Sequence, residues 1–159
     1  MRAILAALLV TATLAACGDA GSAGCGPVRR EELDTRSVHV LPGAEAPEYR
    51  TDPPTSGPHL PSPSTEHVRT EPLAPPVQVG LLEEGGVLIQ HSGLTEGQRA
   101  SVEALAGDGV TVAPADDLPE DAAVVATAWV TKQVCPEVDV ATLERFARDH
   151  VDGGPGDHG

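Results

Sequence analysis

Aromatic side chains are almost missing from this chain: Tyr49, Trp129 and Phe146 are the whole set in 159 residues. The core therefore has to be filled by Val, Leu and Ala. Lysine is as scarce, with Lys132 the single one among 10 basic residues, against 24 acidic residues and a formal net charge of −14. That balance argues against a nucleic-acid partner and against a polybasic membrane patch. Beyond the N-terminus no run approaches the roughly 20 apolar residues that a transmembrane helix needs. There are 3 cysteines, with no CxxC and no metal-type spacing.

What is present starts with an address. Arg2 precedes the apolar run AILAALLVTATLAA, which has the charge and length of a secretory signal rather than of a membrane span. The run closes on Leu14-Ala15-Ala16-Cys17, which resembles the lipobox of bacterial lipoproteins, where the cysteine is lipidated and becomes the new N-terminus. Residues 1–16 are then a lipoprotein signal peptide, and residues 17–26 carry the lipid on Cys17 and a flexible tether, GDAGSAG. The expected location is the extracytoplasmic face of the cell membrane, with a lipid anchor. With Cys17 used for lipid, Cys25 and Cys135 remain as a pair in an oxidising compartment, and a disulfide is the simplest reading. By the chain-entropy account, a bridge over so long a loop contributes about 4–5 kcal/mol.

About 125 residues, 27–151, are enough for one domain and not for two. From Pro27 to Pro76 the pattern is aperiodic and rich in proline, so this stretch reads as a long arm wrapped on the core, with room for a short strand near Val38–Leu41. VQVGLL and GVLIQH, separated by Glu83-Glu84-Gly85, read as a pair of strands. Thr95 and Gln98 form a capping-box pattern that opens a helix carrying Val102, Leu105 and Ala106 and stopping at Gly107. VTVA, stopped by Pro114, reads as a strand, and AVVATAWVT reads as one strand buried on both faces. Trp129 in its middle is expected to pack on the C-terminal helix near Phe146. That helix starts at Asp139 as N-cap and carries Val140, Leu143, Phe146 and Ala147. Residues 152–159 read as a disordered tail. The fold class is α+β or an α/β sandwich: one small mixed sheet, two helices and a long proline-rich N-terminal arm.

Candidate chemistry concentrates around TDPPTSGPH, where Pro53, Pro54 and Pro58 fix φ and remove donors, stiffening the chain around Ser56 and His59. His59, Glu83, Glu84 and His91 can supply imidazole and carboxylate ligands to zinc or copper if the arm folds back over GVLIQH. Ser56, His59 and a carboxylate can be assembled into a hydrolytic triad, although the G-x-S-x-G elbow is missing. The plain alternative makes Thr55-Ser56-Gly57 a hydrogen-bonded turn and leaves the glutamates to water. A redox-active use of Cys25 and Cys135 is weaker than a structural one. His150, Asp152, Asp157 and His158, and the acidic pairs Glu31-Glu32, Asp116-Asp117 and Glu120-Asp121, read as solvated charge.

TDPPTSGPH, followed by the LxE-G-V element of LLEEGGV, then VTVAPADDLP, VVATAW, Cys135, Asp139 and a helix LERF closing on GGP, resembles the domain of unknown function 3105 family. The resemblance covers about Val38 to Pro155, and PPTSGPH is its most specific part. It implies an exported, membrane-tethered protein, many of the family being actinobacterial. The family pattern VHxLEHGxV is altered here: Gly80 and Glu84 stand where it has histidines, while Glu83 and Gly85 match. His91 stands where the family often has tyrosine. The expected function is a non-enzymatic domain that binds a ligand or an envelope partner, with no required cofactor. Two other readings stand beside it: a metal-binding or metal-handling module built on His59 and Glu83, and a hydrolase of unknown substrate.

Overall fold

The computed structural model describes residues 24–155, except 42, 46 and 62–65. The signal peptide and Cys17, and Asp157 and His158 at the other end, lie outside the described residues. The elements in chain order are β1 (Arg29–Arg30), α1 (Pro75–Glu83), β2 (Val87–His91), α2 (Glu96–Glu103), β3 (Val110–Pro114), β4 (Val124–Ala128), β5 (Thr131–Cys135) and α3 (Val140–His150). The five strands form one sheet in the order β1-β5-β4-β2-β3. β2 and β3 run parallel, joined by the α2 crossover, and the other pairs are antiparallel, so the sheet is mixed and the fold is α+β.

Strand alternation divides the core into two layers. On one face Val87, Ile89, Val112, Val124, Ala126 and Cys135 pack with Val102 of α2 and with Leu143, Phe146 and Ala147 of α3. On the other, Leu88 and Ala113 pack with Leu82 of α1 and with Leu73. This second face is completed by the proline-rich arm, which attaches through backbone bonds from Val130 N–H to Thr55 C=O (2.9 Å) and from Leu60 N–H to Pro76 C=O (2.9 Å). Cys25 and Cys135 form a disulfide, and Gly26 N–H bonds Val134 C=O beside it, so the start of the arm is fixed along β5. Among the described residues no helix is long and apolar enough to cross a membrane.

The local signals for α2 and α3 are realised. Thr95 makes the reciprocal capping box with Gln98, and the Asp139 carboxylate accepts the Thr142 N–H. Three expectations need correction. VQVGLL is part of helix α1 and not a strand, so the structure has three helices rather than two. Pro75 and Pro76 occupy the first helical positions, where a missing N–H costs nothing, and Val79, Gly80 and Leu82 are all buried. A helix buried on most sides loses the 3.6-residue periodicity that marks it. Its end is a Schellman motif, with Gly86 N–H bonded to Leu81 C=O and Gly85 N–H to Leu82 C=O, and Gly85 at φ +87°.

AVVATAWVT is not one strand either. It is β4, a two-residue turn at Trp129-Val130, and the start of β5. Val130 takes φ +48°, a region that β-branched residues avoid, and no Gly, Asn or Asp marks the reversal. The turn is held from both sides, since Val130 N–H donates to Thr55 and Val130 C=O accepts from Glu31 N–H. Trp129 consequently packs, half-buried, on the Leu73, Leu82, Leu88 and Ala113 cluster, on the face opposite Phe146. The ring beside Phe146 is that of His150, 4.5 Å away between centroids.

Candidate metal centre

The site is assembled from the arm and the C-terminal end of α1. Proline removes so many donors from residues 53–58 that side chains have to hold the segment. Asp34, fully buried, is the main holder: its N–H donates to Ser56 Oγ (2.9 Å). Its carboxylate accepts from the Arg36 backbone N–H (3.0 Å) and from the Arg36 guanidinium at 3.0 and 2.6 Å. The Arg36 side-chain hydrogen bonds outweigh burial and keep the Asp34 carboxyl below its ordinary value, so it stays ionised. Gly57, at φ +121°, lies so close that a Cβ there would sit 3.1 Å from Asp34 Oδ2 and 3.4 Å from the Tyr49 ring. The Tyr49 hydroxyl donates to Pro58 C=O (2.7 Å), and burial pushes its pKa up to about 12.

This scaffold delivers His59 to the interior, 1% exposed. A short parallel bridge joins it to His39 through Val40 N–H to His59 C=O (2.8 Å) and His59 N–H to Val38 C=O (3.0 Å). The two imidazoles meet edge to face, 4.9 Å between centroids. His59 Nδ1 lies 3.0 Å from Gly57 C=O, and a carbonyl can only accept, so Nδ1 carries a proton. Nε2 then faces Glu83 Oε2 at 2.5 Å, in an approach that is not aligned as a hydrogen bond. A neutral imidazole with Nδ1 protonated presents a lone pair at Nε2, and a lone pair against a carboxylate is repulsive. A cation held between the two would relieve that repulsion.

One donor atom from each of His39, His59 and Glu83 lies within 4.8 Å of the others. Two imidazoles and a carboxylate are a donor set that zinc accepts. Metal–ligand bonds of about 2.0–2.1 Å place tetrahedral donors roughly 3.3 Å apart, so the His59–Glu83 contact would open by roughly 0.8 Å, within reach of a small rotation of Glu83. Glu83 is the last residue of α1, at the negative end of the helix dipole, where a carboxylate is disfavoured and a cation offsets it. The Gly57 carbonyl behind His59 stands where the carbonyl that fixes the tautomer of a metal-binding histidine commonly stands.

The other candidates lie elsewhere. Ser56 is buried, and its hydroxyl accepts the Asp34 N–H, while both ring nitrogens of His59 are directed at Gly57 and Glu83, so no Ser56–His59 pair forms. Glu84 is exposed and lines a separate small cleft with His67 and Asp152. His91 is buried at the end of β2, where burial first, opposed by Glu103, lowers its pKa. His39 is the possible ligand that the sequence does not announce. It is exposed, and its one signal was the alternation Val38-His39-Val40 in a segment otherwise without period.

The turn carrying Glu83 is fixed from outside as well. Residues 152–155 fold back on it: Asp152 N–H donates to Gly85 C=O (2.9 Å), and a Cβ on Gly154 would stand 2.4 Å from Glu83 C=O and 2.6 Å from Gly85 N.

These observations define an α+β domain in which a proline-stiffened arm brings two histidines against a helix-end glutamate. The family of proteins of unknown function DUF3105 matches the chain over residues 40–158, and the chain belongs to that family. His59 and Glu83 fall within the match, and His39 lies one residue before it. No curated protein and no solved structure matches the chain.

Gly154→Ala should destabilise the protein by about 1–3 kcal/mol, because the new methyl meets backbone that cannot yield cheaply. Gly97→Ala, in α2 with nothing within 4 Å, should leave stability unchanged or slightly raised. Thermal denaturation of the two variants checks the docking, and equal melting temperatures would contradict it.

Proposed function

We propose that this protein is a lipid-anchored, extracytoplasmic, non-enzymatic domain that binds a divalent transition-metal ion through His39, His59 and Glu83. The observation that carries the reading is the close approach of His59 Nε2 to Glu83 Oε2 with Nδ1 already committed to Gly57. Two acceptors held this close by rigid supports favour a cation between them. The exposed His39 imidazole, within ligand distance of both, favours a metal ion over a proton alone. Zinc and copper(II) suit a set of imidazole and carboxylate donors, and the absence of thiolate or thioether from it disfavours copper(I). The anchor reading rests on the signal segment and the Cys17 lipobox, which would keep the domain at the membrane surface.

Titration of the purified protein with Zn²⁺ should show one ion per chain, accompanied by proton release and weakened as pH falls, because the ligands bind in their deprotonated forms. His59→Ala and Glu83→Gln should each weaken binding at least tenfold, about 1.4 kcal/mol or more. Isothermal calorimetry in two buffers of different ionisation enthalpy measures both quantities. Absence of stoichiometric uptake of Zn²⁺ and Cu²⁺ would overturn the metal reading. The location has its own test: Cys17→Ala should move the protein from the membrane fraction to the soluble one, and retention in the membrane would argue against the lipid anchor.

A further inference from the structure

The three donors are unequally placed. His59 is sealed beneath the arm, Glu83 is partly buried at the end of α1, and His39 is exposed. They line one side of a cleft of about 340 Å³, which Ser37 completes. Among the described residues no further His, Cys, Asp or Glu joins the three as a possible ligand. Zinc takes four ligands in closed structural sites, and sites with three protein ligands keep a position for water or substrate. We propose, resting on the metal-binding reading, that the ion at His39, His59 and Glu83 keeps one coordination position open to this cleft. That position takes a small oxygen-donor monoanion, with a carboxylate as the class it fits.

Charge selects the class. A divalent ion with one carboxylate and two neutral imidazoles leaves a net charge of +1 at the site, which an anionic fourth ligand neutralises. The chain as a whole carries −14, so polyanions are repelled while a monoanion meets a smaller barrier. Ser37 stands at the lip with its hydroxyl 3.5 Å from Glu83 Oε1, within reach of the second oxygen of a carboxylate bound through its first. The cleft has room for a ligand of several heavy atoms and no lysine or arginine in its lining that would hold an anion without the metal. The anion should therefore bind only when the metal is present.

The test uses the full chain loaded with Co²⁺ as a spectroscopic stand-in for zinc and freed of excess metal by desalting. Acetate is the probe, with formate as a second small carboxylate. The expected result is a saturable change in the visible d–d bands on adding acetate, with cobalt retained through a second desalting step. At matched cobalt loading, Ser37→Ala should bind acetate several-fold more weakly than the parent protein. A stable cobalt complex whose spectrum ignores both anions would overturn the open position and leave the metal site standing. Failure to retain cobalt, together with absence of Zn²⁺ uptake, would overturn the metal site and this inference with it.

Discussion

One buried carboxylate sets the conditions for the rest of the site. A segment with prolines at 53, 54 and 58 cannot join a sheet by its own N–H groups, so its position has to be imposed by bonds to its remaining polar atoms. Asp34 imposes it, giving its N–H to Ser56 and taking three bonds from Arg36, with Gly57 pressed against it. Since Arg36 holds the Asp34 carboxyl below its ordinary value, its contribution to stability is complete above the unfolded carboxylate pKa. It is lost as pH falls through the lowered folded value. Ser56, which can be read as a nucleophile on paper, belongs to this anchoring. The stiffness of PPTSGPH serves to place His59.

The opposite half of the site is fixed by different means. Glu83 ends a helix that is buried on most sides, closed by a Schellman motif at Gly85 and Gly86, and backed by the C-terminal corner at residues 152–155. The hairpin turn at Trp129-Val130 connects the two halves, because its strained Val130 is bonded to Thr55, one residue from Ser56. Arm, hairpin and α1 therefore support each other around His59 and Glu83. The disulfide between Cys25 and Cys135 fixes the start of the same arm to β5.

What could be read from the sequence follows from where each signal resides. Thr95 with Gln98, Asp139, and the pair Cys25 and Cys135 carry their meaning within a few residues or by elimination, and the structure forms all of them. Helix α1 was hidden because burial of Val79, Gly80 and Leu82 removes the amphipathic period, although Pro75-Pro76 and Gly85 marked its ends. The β4–β5 reversal was hidden because Val130 adopts φ +48° under tertiary restraint, with no turn residue to announce it. His59 and Glu83 were visible as candidates from the family-like elements around them. Glu84 and His91 offer the same donor chemistry and stand at positions of the family pattern, and side-chain direction separates them from the site: Glu84 points to another cleft and His91 ends β2. His39 required knowing that Val38 and Val40 pair with His59. The family pattern implies a histidine where Gly80 stands, three residues before Glu83 on α1 and so on the same side of the helix. In the proposed site the second imidazole is that of His39, from the arm.

The central claim is that the Gly57 carbonyl fixes the His59 tautomer so that Nε2 is free for a metal shared with Glu83. Long-range ¹H–¹⁵N correlation spectra of the histidine side chains, recorded with and without one equivalent of Zn²⁺, test it most directly. The account predicts a proton on His59 Nδ1 in both states and a zinc-dependent change confined to Nε2. A His59 protonated only at Nε2, or an Nε2 resonance indifferent to zinc, would contradict it.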